Sequence, residues 1–173
     1  MNPTDRAELL AKLHAGHQEL LAAVEGLSDS DAAARPAAGC WSAIEIIEHL
    51  AIVETNLLRN IQAAIPIEGE PPPSRDAAIF ARVKTRGAVK VQAPPAAQPK
   101  GECACLPEAL QKFQSARSRT LEFVQSHAGD LRLCTTTHPL IGPVTGWECL
   151  HMIAAHPFRH AAQIREFRAL KTE

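Results

Sequence analysis

The chain has 173 residues and a formal net charge of −1. It is long enough for one domain, residues 1–173, with a core of its own. It carries no excess of basic charge that would draw it to nucleic acid.

No apolar run approaches the length of a membrane span, and the opening Met1-Asn2-Pro3-Thr4-Asp5 lacks the basic and apolar regions of a secretion signal. A cytoplasmic protein without membrane contacts is therefore expected. In that compartment the five cysteines, Cys40, Cys103, Cys105, Cys134 and Cys149, are free thiols rather than disulfides. Cys103 and Cys105 have the spacing of half a soft-metal site, but no second pair matches them.

A first helix is predicted over about residues 5–27, with Thr4 as N-cap and Asp5 in the first turn, where negative charge suits the helix dipole. Leu10, Leu13, Leu20, Leu21 and Val24 recur on one face, and His17 falls in its middle. A polar connection follows from Ser28 past Pro36 to Gly39. A second helix is predicted from Ser42, because Ser42 and Glu45 have capping-box spacing. Its stripe is Ile46, Leu50, Val53, Leu57 and Ile61, with His49 at the edge, and Pro66 ends it.

Residues 66–106 change character. Pro71-Pro72-Pro73 and Pro94-Pro95 bracket a short helix predicted over about 75–86. The stretch reads as a long Pro-rich crossover outside the core, the most mobile part of the chain and able to cover a pocket. A third helix starts at Pro107, uses Leu110, Phe113, Leu121 and Val124, and ends near His127 with Gly129 just beyond. After a connection through Thr135, His138 and Gly142, a fourth begins near Thr145, with Glu148 completing a second capping box.

Four long helical patterns and no alternating strand predict an all-α four-helix bundle. The chemistry concentrates in its last helix. His156 and His160 are four apart, so both imidazoles project from one side, the geometry with which one helix offers two nitrogens to one metal ion. They border the buried face, beside Cys149, Ile153, Ile164 and Phe167. One helix does not easily close a metal site, and the best third ligand is His49. His151 points elsewhere. His17 and Cys149 are pocket candidates, although a histidine so placed is more often a hydrogen-bonded core residue and a packed core would give the same pattern. Glu45, one turn before His49, could orient its ring, although capping already accounts for it. Arg159 is expected to pair with a surface carboxylate, and Trp41 and Trp147 to pack near the starts of the second and fourth helices.

Trp41-Ser42 with Glu45 and His49, followed by His156-x-x-Arg159-His160-x-x-Gln163-Ile164, resembles the DinB-like superfamily, which includes YfiT-type metal-dependent hydrolases and thiol-dependent S-transferases. The resemblance covers most of the chain through the order of its helices, and only those two segments are specific. It implies a four-helix bundle with a long crossover between the second and third helices. It further implies one metal held by His49, His156 and His160, and often a homodimer. The departure is Pro157, where relatives often carry an acidic residue. A proline there removes a helical hydrogen bond and crowds the preceding turn, which predicts a kink at the site.

Three neutral imidazoles leave at least one coordination position open on a divalent metal; zinc and nickel both accept them. Such a metal could acidify water for hydrolysis or present a low-molecular-weight thiol as a nucleophile against a small electrophile. The chain has no tyrosine to serve as acid or oxyanion donor, and no catalytic side chain beyond the metal site stands out. Two readings follow: a metal-dependent thiol S-transferase or hydrolase acting on a small molecule, or a non-catalytic bundle that binds metal or a small ligand in a stress response.

Overall fold

The structure, a computed structural model, describes residues 1–87 and 92–170. Helix α1 spans Pro3–Val24. Its N-cap is Asn2, not Thr4: the Asn2 side chain accepts from Asp5 N–H at 2.8 Å, and Pro3 takes the first helical position, where its missing N–H costs nothing. The buried face is Leu9, Leu13, Gly16, Leu20, Ala23 and Val24. The polar connection contains one short helix, α2 (Asp29–Ala33), capped by Ser28. Helix α3 (Ala43–Gln62) opens with the expected box: Ser42 N–H donates to Glu45 at 2.8 Å, and Glu45 N–H to the Ser42 hydroxyl at 3.2 Å.

The crossover contains β1 (Ile65–Pro66), α4 (Asp76–Lys84) and a 3₁₀ turn at Pro95–Ala97. Its residues 88–91 lie outside the described part. Helix α5 spans Leu106–Ser126. After a 3₁₀ turn (Leu131–Leu133) come β2 (Cys134–His138) and β3 (Gly142–Thr145), and then α6 (Gly146–Leu170). The second capping box is present, with Thr145 N–H to Glu148 at 2.9 Å and Glu148 N–H to the Thr145 hydroxyl at 3.1 Å.

The four long helices α1, α3, α5 and α6 form the bundle. Helix α1 packs along α6, α3 along α5, and α4 lies against α6 from the crossover. Gly16 sets the α1–α6 approach: a Cβ there would fall 2.7 Å from the Ala154 carbonyl oxygen. The small antiparallel sheet, ordered β1-β2-β3, was not expected. Its strands are two to five residues long and pair across the chain, Ile65 with Thr135 and Thr136 with Val144. Pairs so short leave no alternation to read, although the β-branched run Thr135-Thr136-Thr137 suits a strand.

The interior divides into two apolar clusters. One gathers Leu20, Ile46, Ile47, Leu50, Phe113 and Ile164; the other gathers Leu9, Leu13, Leu57, Leu150 and Ile153. Where they meet lies Arg117, the bulkiest fully buried side chain among the described residues. Its guanidinium pairs with Glu54 at 2.9 Å and donates to the Leu13 carbonyl at 3.0 Å.

Candidate metal centre

Helix α3 brings His49, and α6 brings His156 and His160, to one point. The ring nitrogens that face one another all lie within 4.8 Å, an arrangement that could hold a metal ion. The rings meet edge to face, with centroids 5.0 Å apart from His49 to either partner and 4.6 Å apart between His156 and His160. Trp41 covers the outer side of His49, its ring centroid 4.8 Å away.

The outward nitrogens fix the tautomers. His49 Nδ1 lies 2.6 Å from the Ala97 carbonyl oxygen, and His160 Nδ1 lies 2.9 Å from Gln163 Oε1. Both partners are oxygens that only accept, so each ring carries its proton at Nδ1 and turns an unprotonated Nε2 inward. His156 Nε2 and His160 Nε2 are 2.9 Å apart. Two lone pairs cannot face each other at that separation; a proton on His156 Nε2, or a cation, must lie between them.

Burial holds all three imidazoles below their ordinary pKa. For His156 and His160 the shift is large, and the neighbouring histidines and Arg159 push the same way; for His49 the Ala97 carbonyl partly opposes it. The site therefore offers neutral rings at neutral pH, the form that binds metal. The donor set fits a divalent metal ion.

Pro157 does not break the pattern. Helix α6 is continuous through it, and His156 and His160 remain in contact. Beside His156, Leu50, Val53, Glu54, Ile153 and Pro157 line a shallow recess, partly open to solvent and too tight to admit a water molecule.

The other candidates fall elsewhere. Glu45 does not orient His49. Its carboxylate is taken up by Ser42 N–H and the Arg35 guanidinium, and the ring is held instead by the crossover backbone. His17 stands edge-on to Phe113 at 5.6 Å and does not line the recess. Cys149 is fully buried in the second apolar cluster, where burial pushes its thiol up to about 12, so it supplies no thiolate. Arg159 donates to the Thr85 carbonyl at 2.7 Å, tying α6 to the end of α4 rather than to a surface carboxylate. All five cysteines are free thiols, and among the described residues they join no metal-binding cluster.

Sequence reasoning passed over the crossover's grip on the site and the Arg117–Glu54 pair. The crossover signal was absent, because Ala97 contributes a backbone oxygen. The signal for the pair was present: Glu54 follows Leu50 by four, and Arg117 follows Phe113 by four and precedes Leu121 by four. Each charge therefore stands in an apolar register, where it needs a partner.

Fold and site together define a four-helix bundle with a three-histidine centre clasped between its second and last long helices. The chain belongs to the DinB superfamily, whose family model matches residues 12–164. Two solved structures share the fold. YfiT from Bacillus subtilis, described as a probable metal-dependent hydrolase with an unusual four-helix bundle topology, aligns with TM-score 0.63 at 16% identity, over 99% of this chain and 90% of its own. The four-helix bundle protein TT2238 aligns with TM-score 0.55 at 20% identity, over 97% of this chain and 99% of its own. No curated protein matches the sequence.

Proposed function

We propose that the chain is a metal-dependent enzyme in which His49, His156 and His160 hold one divalent ion, zinc or nickel. The observation that carries this reading is the orientation of the rings: two of the three have their Nδ1 protons committed outward, to Ala97 O and Gln163 Oε1, so that lone pairs converge. Bound there, the ion would supply Lewis acidity, activating water or a low-molecular-weight thiol towards a small electrophile. The description of YfiT as a probable metal-dependent hydrolase agrees with this chemistry.

The chain's own residues have separate tasks. The imidazoles supply nitrogen donors without adding negative charge. Ala97 O and Gln163 Oε1 hold two of them in the ligating tautomer. Leu50, Val53, Ile153 and Pro157 place apolar surface beside His156 and limit water there.

A second reading, a non-catalytic metal- or ligand-binding bundle of a stress response, draws on one observation. The single carboxylate lining the recess, Glu54, is already paired with Arg117, so the recess offers no uncommitted acid or base. Elemental analysis of the purified protein tests the shared premise, with about one ion per chain expected and loss of most of it in His49→Ala. Retention of full metal content in that variant would refute the three-ligand centre. Turnover with simple esters, and with electrophiles offered beside glutathione, mycothiol or bacillithiol, separates the two readings when measured before and after chelation. Sedimentation tests the homodimer that accompanies the proposal.

A further inference from the structure

The Arg117–Glu54 pair is poorly explained as a stabiliser. Both side chains are buried, and a buried ion pair replaced by well-packed apolar groups is often neutral or stabilising. Its place in the fold suggests another task. Pro157 has no N–H, so the Ile153 carbonyl four residues earlier lacks its helical donor. Ile153 is 2% exposed, so water does not readily fill the gap. The group that reaches that carbonyl is Arg117 Nη2, at a long 3.5 Å, consistent with the proline ring crowding the same turn. The same guanidinium bonds Leu13 O on α1 at 3.0 Å and Glu54 Oε2 on α3 at 2.9 Å. One side chain from α5 thus grips each of the other three long helices, at the turn adjoining His156. Glu54, Ile153, Pro157 and His156 also line one recess.

We infer that Arg117, held by Glu54, is a positioning residue for His156. It replaces the helical donor that Pro157 removes and fixes the turn of α6 that sets His156 against His160 and His49. The pair steers the ligand without touching it. The inference rests on the metal-centre reading for its consequence, but its geometric content, the placement of the His156 ring, stands apart from metal binding.

The test is a rescue. Glu54→Gln with Arg117→Met removes both charges and leaves no ion unpaired. Two properties are compared in the wild type, this variant, and this variant with Pro157→Ala added, which returns an N–H to the Ile153 carbonyl. They are cobalt(II) affinity, from the visible spectrum, and the imidazole nitrogen resonances of the metal-free protein. The expected result is a loss of about 10- to 100-fold in cobalt affinity, in the range seen when outer groups that orient a ligand are removed, with displaced His156 resonances. Adding Pro157→Ala should restore most of both.

If Pro157→Ala relieves neither loss, or if the first variant leaves affinity and resonances unchanged, the inference is overturned. Wild-type protein that takes up no cobalt would sink the metal reading on its own; the resonances would still decide the positioning role. Should the double variant not fold, Arg117→Lys serves in its place. It keeps a positive charge beside Glu54, but its shorter ammonium donates from one point rather than from the two prongs that reach Leu13 O and Ile153 O, so it should show the same loss and the same rescue. Wild-type affinity and resonances in Arg117→Lys would refute the inference.

Discussion

His151 makes the acid limb of stability calculable. It is 2% exposed, neither ring nitrogen has a hydrogen-bond partner among the described residues, and Trp147 and Phe80 flank the ring. Its nearest carboxylate, Asp76, stands 3.6 Å away and is engaged by the Trp147 indole N–H at 3.1 Å. Burial, reinforced by Lys12, lowers the pKa from 6.5 to about 4, with Asp76 opposing. The folded pKa lies below the unfolded one, so on acidification the unfolded chain takes up the proton first. Stability from the neutral ring is intact above pH 6.5 and drains away as pH falls towards 4. The fall from 6.5 to about 4 corresponds to about 3 kcal/mol once both states are protonated, and to about 2 kcal/mol at pH 5.

His151→Phe removes the titration while keeping an aromatic ring between Trp147 and Phe80. Urea unfolding from pH 7.5 to 4.5 should therefore show the wild type losing about 2.5 kcal/mol more than the variant. The three site histidines, also held below their ordinary pKa, add an acid loss common to both proteins. Parallel pH profiles would refute the reasoning, because they would mean that His151 titrates alike folded and unfolded.

Gly16→Ala should destabilise by about 1–2 kcal/mol in urea unfolding: the helix gains about 1 kcal/mol from alanine, but a Cβ 2.7 Å from the Ala154 carbonyl forces α1 off α6 at a cost of about 2–3 kcal/mol. A more stable variant would show that the helices yield there freely. Gln163→Leu leaves His160 Nδ1 without its acceptor and should weaken metal binding about 10- to 100-fold with little change in Tm, read by competition with a coloured chelator. Metal loading should slow amide exchange at Gly101 and Glu102, whose N–H groups bond Glu48 beside His49, more than at the start of α1; equal change at both would argue against coupling between the site and the crossover.

The four long helices were legible because each carries a broad apolar stripe, and both capping boxes mark their starts with short-range chemistry. The three histidines were legible because a spacing of four and an edge position are properties of single helices. What escaped depends on contacts between distant segments. Asn2 replaces Thr4 as cap because Pro3 prefers the first helical position, a signal that was available in the sequence. Helix α6 runs continuously through Pro157 and keeps His156 and His160 in contact, and the donor 3.5 Å from the freed Ile153 carbonyl comes from Arg117, forty residues before the proline, where no local rule looks. The expected role of Glu45 failed because Arg35 and Ser42 had already claimed its carboxylate. The crossover was half legible: its proline clusters set it apart from the four long helices, but not that Ile79 of α4 joins the second apolar cluster or that Ala97 delivers an oxygen to His49.

That oxygen belongs to the peptide unit of Ala97, not to any side chain. Nearly every substitution at position 97 would preserve the acceptor, so a conventional alanine or random scan would pass over it in silence. What the site requires of the crossover is a path through space, set by the turn at Pro95–Ala97 and the bond from Asn56 to the Ala96 carbonyl. The crossover can therefore vary widely in composition while its length and route stay constrained. Shortening it by one residue ahead of the turn should disturb His49 more than rewriting several of its side chains.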